Sequence, residues 1–295
     1  MISEPGFYEM PAQAYHADPC VKPSLSSSLA AEIVTRSPAH ARLSHPRLCD
    51  GNTATKESPS LSFGSVVHEL LLGKGGGFSL WEGDSWRGND AATFRELSIS
   101  NGMTPIKRAD FDRANALAES VRRQCASMGI GYVFEEGKSE QVAVWKSGDH
   151  YMRAMFDRWL PERNEIWDIK TTSSIAHPEN LSREIVKWHY DIRSEFYLMG
   201  AEKLTGIPSI RGGLGFLFLF VEVEPPFCVV PCYLDQTFKT RGRKLAQEAI
   251  DLWARSMETG HWPGYVNGAV EIAAPGWVEF EIEETGITPS GERIV

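Results

Sequence analysis

The stretch from Met152 to Thr172, MRAMFDRWLPERNEIWDIKTT, constrains the fold more than any other part of the chain. It reads as two short strands joined by a turn at Pro161–Asn164, each carrying one carboxylate among large apolar residues. In the second strand Ile166, Asp168 and Lys170 share one face, because strand side chains alternate, while Trp167 and Ile169 take the other. An acid and an amine side by side in apolar surroundings are costly unless a metal ion or an anionic substrate compensates them. The expectation is metal-dependent chemistry on a phosphate.

The pattern around this stretch predicts an α/β protein. Residues 1–22 read as an extended arm with a short aromatic element. Ser24–Ser37 reads as a helix capped by Ser24 or Ser26, with Leu25, Leu29 and Ile33 as its apolar stripe and Pro38 ending it. Residues 49–60 read as a polar loop. Phe63–Leu72 is a short helix with Phe63, Val66, Val67, Leu70 and Leu71 at helical spacing, broken by the glycine run at 73–77. Residues 83–103 read as irregular or weakly helical, and Thr104-Pro105 as the cap and first residue of a helix reaching Met128. A hairpin turns at Ser147-Gly148-Asp149, and Glu165–Thr171 supplies the next strand. One long helix is expected over 178–204, strands over 214–223 and 227–234, a helix over 237–258, and a weak strand near 278–282. The predicted architecture is one domain with a mixed central sheet flanked by helices. Residues 1–62 form an N-terminal arm and helical elaboration on a core of 63–295.

Composition narrows the function classes. The chain has 295 residues and a net charge of −9, which argues against a protein coated in basic surface for nucleic acid. A cleft of acids becomes attractive to phosphate once divalent cations occupy it, so nucleic acid stays open. The most apolar run, Leu214–Val223, is too short for a membrane helix and reads as a central strand, and no secretory signal is evident, so a cytoplasmic protein without a membrane partner is expected. The five cysteines lack paired spacing and read as free thiols.

Four positions can converge on one site. His68 lies beside the apolar stripe of its helix, and Gly64, one turn earlier, leaves room for another element. Asp157 ends one hairpin strand, and Asp168 and Lys170 lie on the neighbouring one, about 5 Å away in a meander. Two carboxylates with one imidazole suit Mg²⁺ or Mn²⁺. Lys170 is then placed to hold or deprotonate an attacking water, and Glu140 to orient it. Taken singly, each has a plainer reading. D-x-K occurs by chance, Asp157 has Arg153 and Arg158 as possible ion-pair partners, and His68 can be a core histidine.

The order of these elements resembles the PD-(D/E)xK nuclease superfamily, and more narrowly its exodeoxyribonuclease VIII (RecE-type) branch from phage and prophage recombination modules. The resemblance runs through Tyr15-His16, Ser37-Pro38-Ala39-His40, Phe63–His68, Ser139-Glu140, Arg153–Asp157, Trp167–Thr172, Tyr190-Asp191 to Phe196-Tyr197, and Trp262-Pro263-Gly264-Tyr265. It implies a restriction-endonuclease-like core. It also implies that His68, Asp157, Asp168 and the Ile169 carbonyl bind the metal and that Lys170 is catalytic. A Gln-x-x-x-Tyr pair that handles DNA in the family falls on Arg193 and Tyr197, with arginine in place of glutamine, and Tyr190 shares their helix face. The implied activity is a metal-dependent 5′→3′ exonuclease on double-stranded DNA that leaves 3′ single strands. Implied partners are duplex DNA ends, a single-strand annealing recombinase and further copies of the chain in a ring, in a bacterial or phage-infected cytoplasm. A structure-specific or restriction-like endonuclease, and a non-cleaving DNA- or partner-binding module, are the alternatives.

Overall fold

The computed structural model describes residues 1–49 and 59–278. Most of the stretch expected as a polar loop at 49–60, and the weak strand expected near 278–282, lie outside the described residues.

The chain opens with β1 (Gly6–Tyr8), α1 (Ala12–His16), β2 (Ser24–Ser26), α2 (Ser27–Thr35), α3 (Pro38–Ser44) and α4 (Pro59–Leu72). Next come β3 (Phe78–Trp81), α5 (Asn89–Ser100), β4 (Thr104–Lys107), α6 (Arg108–Ser127) and α7 (Tyr132–Glu135). Then follow β5 (Lys138–Ser147), β6 (His150–Leu160) and β7 (Glu165–Thr172), with a 3₁₀ turn at Pro161–Arg163. The remainder is α8 (Pro178–Lys187), α9 (Tyr190–Thr205), β8 (Gly215–Glu222), β9 (Val229–Cys232) and α10 (Gln236–Thr259). Among the described residues no helix is long and apolar enough to cross a membrane.

Seven strands form one mixed sheet in the order β1-β5-β6-β7-β8-β9, with β2 joined to β6. The β1/β5, β5/β6, β6/β7 and β8/β9 pairs are antiparallel, whereas β7/β8 and β2/β6 are parallel. The β7–β8 link is the α8–α9 crossover that parallel neighbours require. Each face carries its own core. Leu25, Leu29, Ile33, Phe196, Phe218, Ala246 and Trp253 meet on one side beneath α2, α9 and α10. On the other, Val66, Val67, Leu117, Val121, Trp167, Ile169 and Leu219 meet beneath α4 and α6. The expected alternation of β7 is present: Ile166 enters the first core, Trp167 and Ile169 the second.

Four local expectations are corrected. Asn89–Ser100 is a regular helix, although only Ala91 and Ser98 are buried in it, so no apolar stripe announces it. Thr104-Pro105 does not start a helix. It begins β4, which pairs in parallel with β3 in a separate two-stranded sheet, an edge position that tolerates proline. The helix expected over 178–204 is two helices, broken where His189 adopts left-handed backbone at φ 55°. The N-terminal helix also starts later than expected, after β2. Ser26 caps α2, while Ser37 caps the following α3.

Candidate active site

β6 is the element that builds the site. One of its edges is covered by β5, from Lys138↔Trp159 to Ser147↔His150. The other edge is shared: β2 pairs with Tyr151–Arg153 and β7 with Arg158–Leu160. The sheet therefore forks at Ala154–Asp157, and Asp157 stands at the crotch. The β6/β7 ladder stops at Arg158↔Trp167, one residue short of the Asp157 and Asp168 positions. Asp157 Oδ2 instead accepts the Ile169 amide at 2.7 Å, taking the place of a ladder carbonyl.

The β5 side is interrupted at the same level. Ser139↔Arg158 and Gln141↔Phe156 pair, but Glu140, opposite Asp157, does not, and its φ is +49°. The core-facing alternation slips there too, since Met152, Ala154 and Phe156 are followed into the first core by Trp159. A non-glycine residue held in left-handed backbone inside a strand is strained, and such strain gathers at functional sites.

α4 reaches the fork because Gly64 lies against β7: a Cβ there would sit 3.1 Å from Thr171 Oγ1. One turn on, His68 Nε2 meets Asp157 Oδ2 at 2.9 Å. Burial disfavours the Asp157 carboxylate, but His68, Lys170 and the Ile169 amide outweigh it and hold its pKa down at about 2. Burial likewise pulls His68 down, and Asp157 more than reverses this, so its pKa is raised. Neither flanking arginine neutralises Asp157. Arg153 bonds Ser24 Oγ at 2.7 Å and pairs with Asp18, while Arg158 bonds the Val133 carbonyl at 2.6 Å and Ser139.

Asp168 is 1% exposed, and its Oδ1 has no hydrogen-bond partner. Lys170 Nζ is in ionic contact with its Oδ2, and Arg193 Nη1 lies 3.9 Å from its Oδ1. Burial and then Asp157 push the Asp168 pKa up against the pull of Lys170 and Arg193. Lys170 Nζ also lies 5.4 Å from the Tyr190 ring centroid. Burial raises the Tyr190 hydroxyl to about 12 and raises that of Tyr197 as well. Arg193 stays charged despite burial because Tyr197 and the two aspartates surround it. The Glu140 carboxyl is raised by burial and by Asp157, against the opposing pull of His68.

The fork thus gathers His68, Glu140, Asp157, Asp168 and Lys170, with Tyr190, Arg193 and Tyr197 coming from α9. As they stand, no three His, Cys, Asp or Glu side chains among the described residues form a ready cage for an ion. His68 and Asp157 are engaged with each other, and Asp168 with Lys170. The donor set still fits a hard divalent cation. A buried carboxylate with Lys170 at one oxygen and no hydrogen bond at the other can still take positive charge, and oxygen donors with one imidazole suit Mg²⁺ or Mn²⁺.

Sequence reasoning missed the neighbours contributed by the N-terminal arm. Tyr15, His16, Ser26 and Arg153 line a cavity of about 310 Å³ together with Arg193 and Tyr197. The Arg153 Cζ lies 5.5 Å from the Tyr15 ring centroid, and Asp18, His45 and Ser24 pin this arm to β6. The signal was present in Tyr15-His16 and in the serine run at 26–28, but no periodicity ties those residues to β6.

A family described as a PDDEXK-like domain of unknown function (DUF3799) matches residues 33–274. No curated protein matches the chain. A crystal structure of a candidate exonuclease from Eubacterium rectale superposes with a TM-score of 0.60 at 13% identity, covering 92% of this chain and 98% of that one. That of a phage-related exonuclease from Haemophilus somnus 129PT gives a TM-score of 0.34 at 10% identity, covering 81% of this chain and 96% of that one. The first shows a shared fold, and the resemblance to the PD-(D/E)xK superfamily seen in the sequence holds. With the fork, its two aspartates and the following lysine in place, the chain belongs to the PDDEXK-like DUF3799 family.

Proposed function

We infer that this protein is a divalent-metal-dependent deoxyribonuclease, and more narrowly a 5′→3′ exonuclease that acts from double-stranded DNA ends and leaves 3′ single strands. The observation that carries the reading is Asp168: a buried carboxylate whose Oδ2 meets Lys170 and whose Oδ1 has no hydrogen-bond partner, set between Lys170 and Arg193 where the sheet forks. His68, Asp157, Asp168 and the Ile169 carbonyl would hold Mg²⁺ or Mn²⁺. Such an ion supplies Lewis-acid stabilisation of phosphate charge and a more acidic water.

The chain's own residues do the remaining work. Lys170, with a side chain 15% exposed, reaches both the buried acid and the solvent side. As the ammonium it can orient the attacking water and offset charge on the pentacoordinate phosphorus, and as the neutral amine it can take the water's proton. Arg193 presents a planar donor set to a phosphate flanking the scissile bond, where a glutamine would present a neutral amide. Glu140, aimed by its left-handed backbone, is placed to hold a water beside Asp157.

Polarity, end dependence, a ring of subunits and a single-strand annealing partner come from the RecE-type resemblance, and the name of the Eubacterium rectale protein accords with exonuclease action. The deciding experiment incubates the protein with linear and covalently closed circular duplex in Mg²⁺ and in Mn²⁺. Degradation of the linear DNA from its 5′ ends, with the circle spared and Asp168→Asn inactive, is expected. Cutting of the circle would convert the reading to an endonuclease. Binding without cleavage in either metal would convert it to a non-cleaving module, a reading favoured by the closed His68–Asp157 and Lys170–Asp168 pairs.

A further inference from the structure

A groove leads away from the fork that the chemistry above does not use. Its near part, a cavity of about 600 Å³, begins at Thr171 and Thr172, which follow Lys170 on β7, and passes Tyr190 and Trp188. Its far part, of about 300 Å³, reaches Trp86 and Arg95 in the β3–α5–β4 segment. Phe63 and Asp110 line both parts, so the two adjoin.

The lining alternates rings with cations. Lys187 Nζ lies 4.9 Å from the Trp188 ring, the Arg113 guanidinium 4.3 Å from Phe63, and the Arg95 guanidinium 5.3 Å from Trp86. Arg95, Lys107, Arg113 and Lys187 outnumber the carboxylates Asp110 and Glu184 along the lining, in a chain that is acidic overall; Lys107 and Arg113 pair with Asp110, Arg113 also with Glu224, and Lys187 with Glu184 at 3.8 Å. Trp188 is 55% exposed, an unusual state for the largest apolar side chain. It is presented by the α8–α9 break, where His189 holds strained backbone at φ 55°. At the far end Trp86 is backed by Trp81, with the rings stacked at 6.2 Å, which makes a rigid platform.

We propose that this groove is a stacking track for single-stranded DNA, holding the unpaired stretch that adjoins the cleaved bond. The proposal rests on the deoxyribonuclease reading and extends it to how the strand is handled. Paired bases in a duplex offer no free faces along the strand, whereas unpaired bases stack on tryptophan and phenylalanine while their phosphates meet the neighbouring cations. The groove is therefore matched to a single strand, without sequence preference.

The test measures anisotropy of fluorescein-labelled oligo(dT) with the full chain in chelator, where no cleavage occurs. Trp188→Ala is expected to weaken binding about tenfold, and Trp188→Phe to retain most of it. Lys187→Ala should lower the salt dependence by about 0.7 in the log–log slope. Both positions are exposed, so an unchanged melting temperature is expected. Trp86→Ala is the second-line variant because Trp86 packs in an aromatic cluster. Oligo(dT) affinity within twofold of the unmodified protein for Trp188→Ala and Trp86→Ala, or no oligo(dT) binding by the unmodified protein, overturns the track. A protein that binds oligo(dT) through Trp188 but never cuts DNA keeps the track and loses the nuclease reading. One that cuts DNA but is indifferent to these substitutions does the opposite.

Discussion

Lys170 and Asp168 touch, yet they are expected to fail differently. Asp168 is the most deeply buried of the proposed ligands, so Asp168→Ala should abolish both metal uptake and cleavage. Lys170→Ala leaves every proposed ligand in place. It should retain Mn²⁺ binding by calorimetry while cleavage falls about 10²- to 10⁴-fold, the range for a lost general acid–base group. Near-full activity of Lys170→Ala would remove the lysine from the mechanism. His68 poses the sharper choice between ligand and core residue. It pairs with Asp157, which keeps its proton bound to a higher pH than an ordinary imidazole. Because a ligand imidazole must be neutral, Mn²⁺ affinity should rise with pH as that proton leaves. His68→Ala should weaken Mn²⁺ at least about tenfold with little change in Tm. A large Tm loss with an unchanged Mn²⁺ titration would make His68 structural. These residues were legible because their types are rare beside apolar strand positions. The left-handed backbone of Glu140 and the arm's approach through Tyr15 and Arg153 were not, since both arise from contacts distant in sequence.

The α9–α10 pair shows how an element-level contact titrates. Glu195 on α9 is 4% exposed and faces Arg243 on α10 at 3.6 Å. Burial first, and Glu202 beside it, raise its pKa from 4.5 to about 7 against the pull of Arg243 and Lys239. In that interval the folded chain binds more protons than the unfolded one, so Glu195 makes stability fall as pH rises from 4.5 to about 7. Glu195→Gln removes this slope. Thermal melts across the interval should become flatter, with Tm at about pH 8 raised by about 2–4 °C per kcal/mol recovered. An unaltered slope would mean that Arg243 already compensates the charge. Elements with a periodic signature were readable: the β5–β6 hairpin, β7 with its D-x-K, α4 and α10. Those without one were not. α5 buries only Ala91 and Ser98, β4 carries a proline that mimics a helix start, and the α8–α9 break has neither glycine nor proline to mark it.

At the scale of the molecule, the difficulty is electrostatic. On the deoxyribonuclease reading, a chain of net charge −9 would have to hold a polyanion at a site that contains two aspartates and a glutamate. Local cations near the fork, Lys170 and Arg193, would act within about a Debye length, roughly 8 Å at physiological salt, whereas the acidic remainder would repel DNA at lower salt over greater distances. A monomer in that position would release DNA between cuts. A ring of copies, as the RecE-type resemblance implies, would remove the problem by enclosing the duplex, so that repulsion from the outer surface would no longer oppose retention. The expected outcome is a multimer by sedimentation at working concentration. Degradation of labelled linear duplex should continue over hundreds of nucleotides after an excess of unlabelled DNA is added as a trap, about as fast at physiological salt as at low salt. Arrest of degradation on adding the trap, with a monomeric mass, would leave the site chemistry intact and remove the ring, placing the whole burden of retention on the cations at the fork.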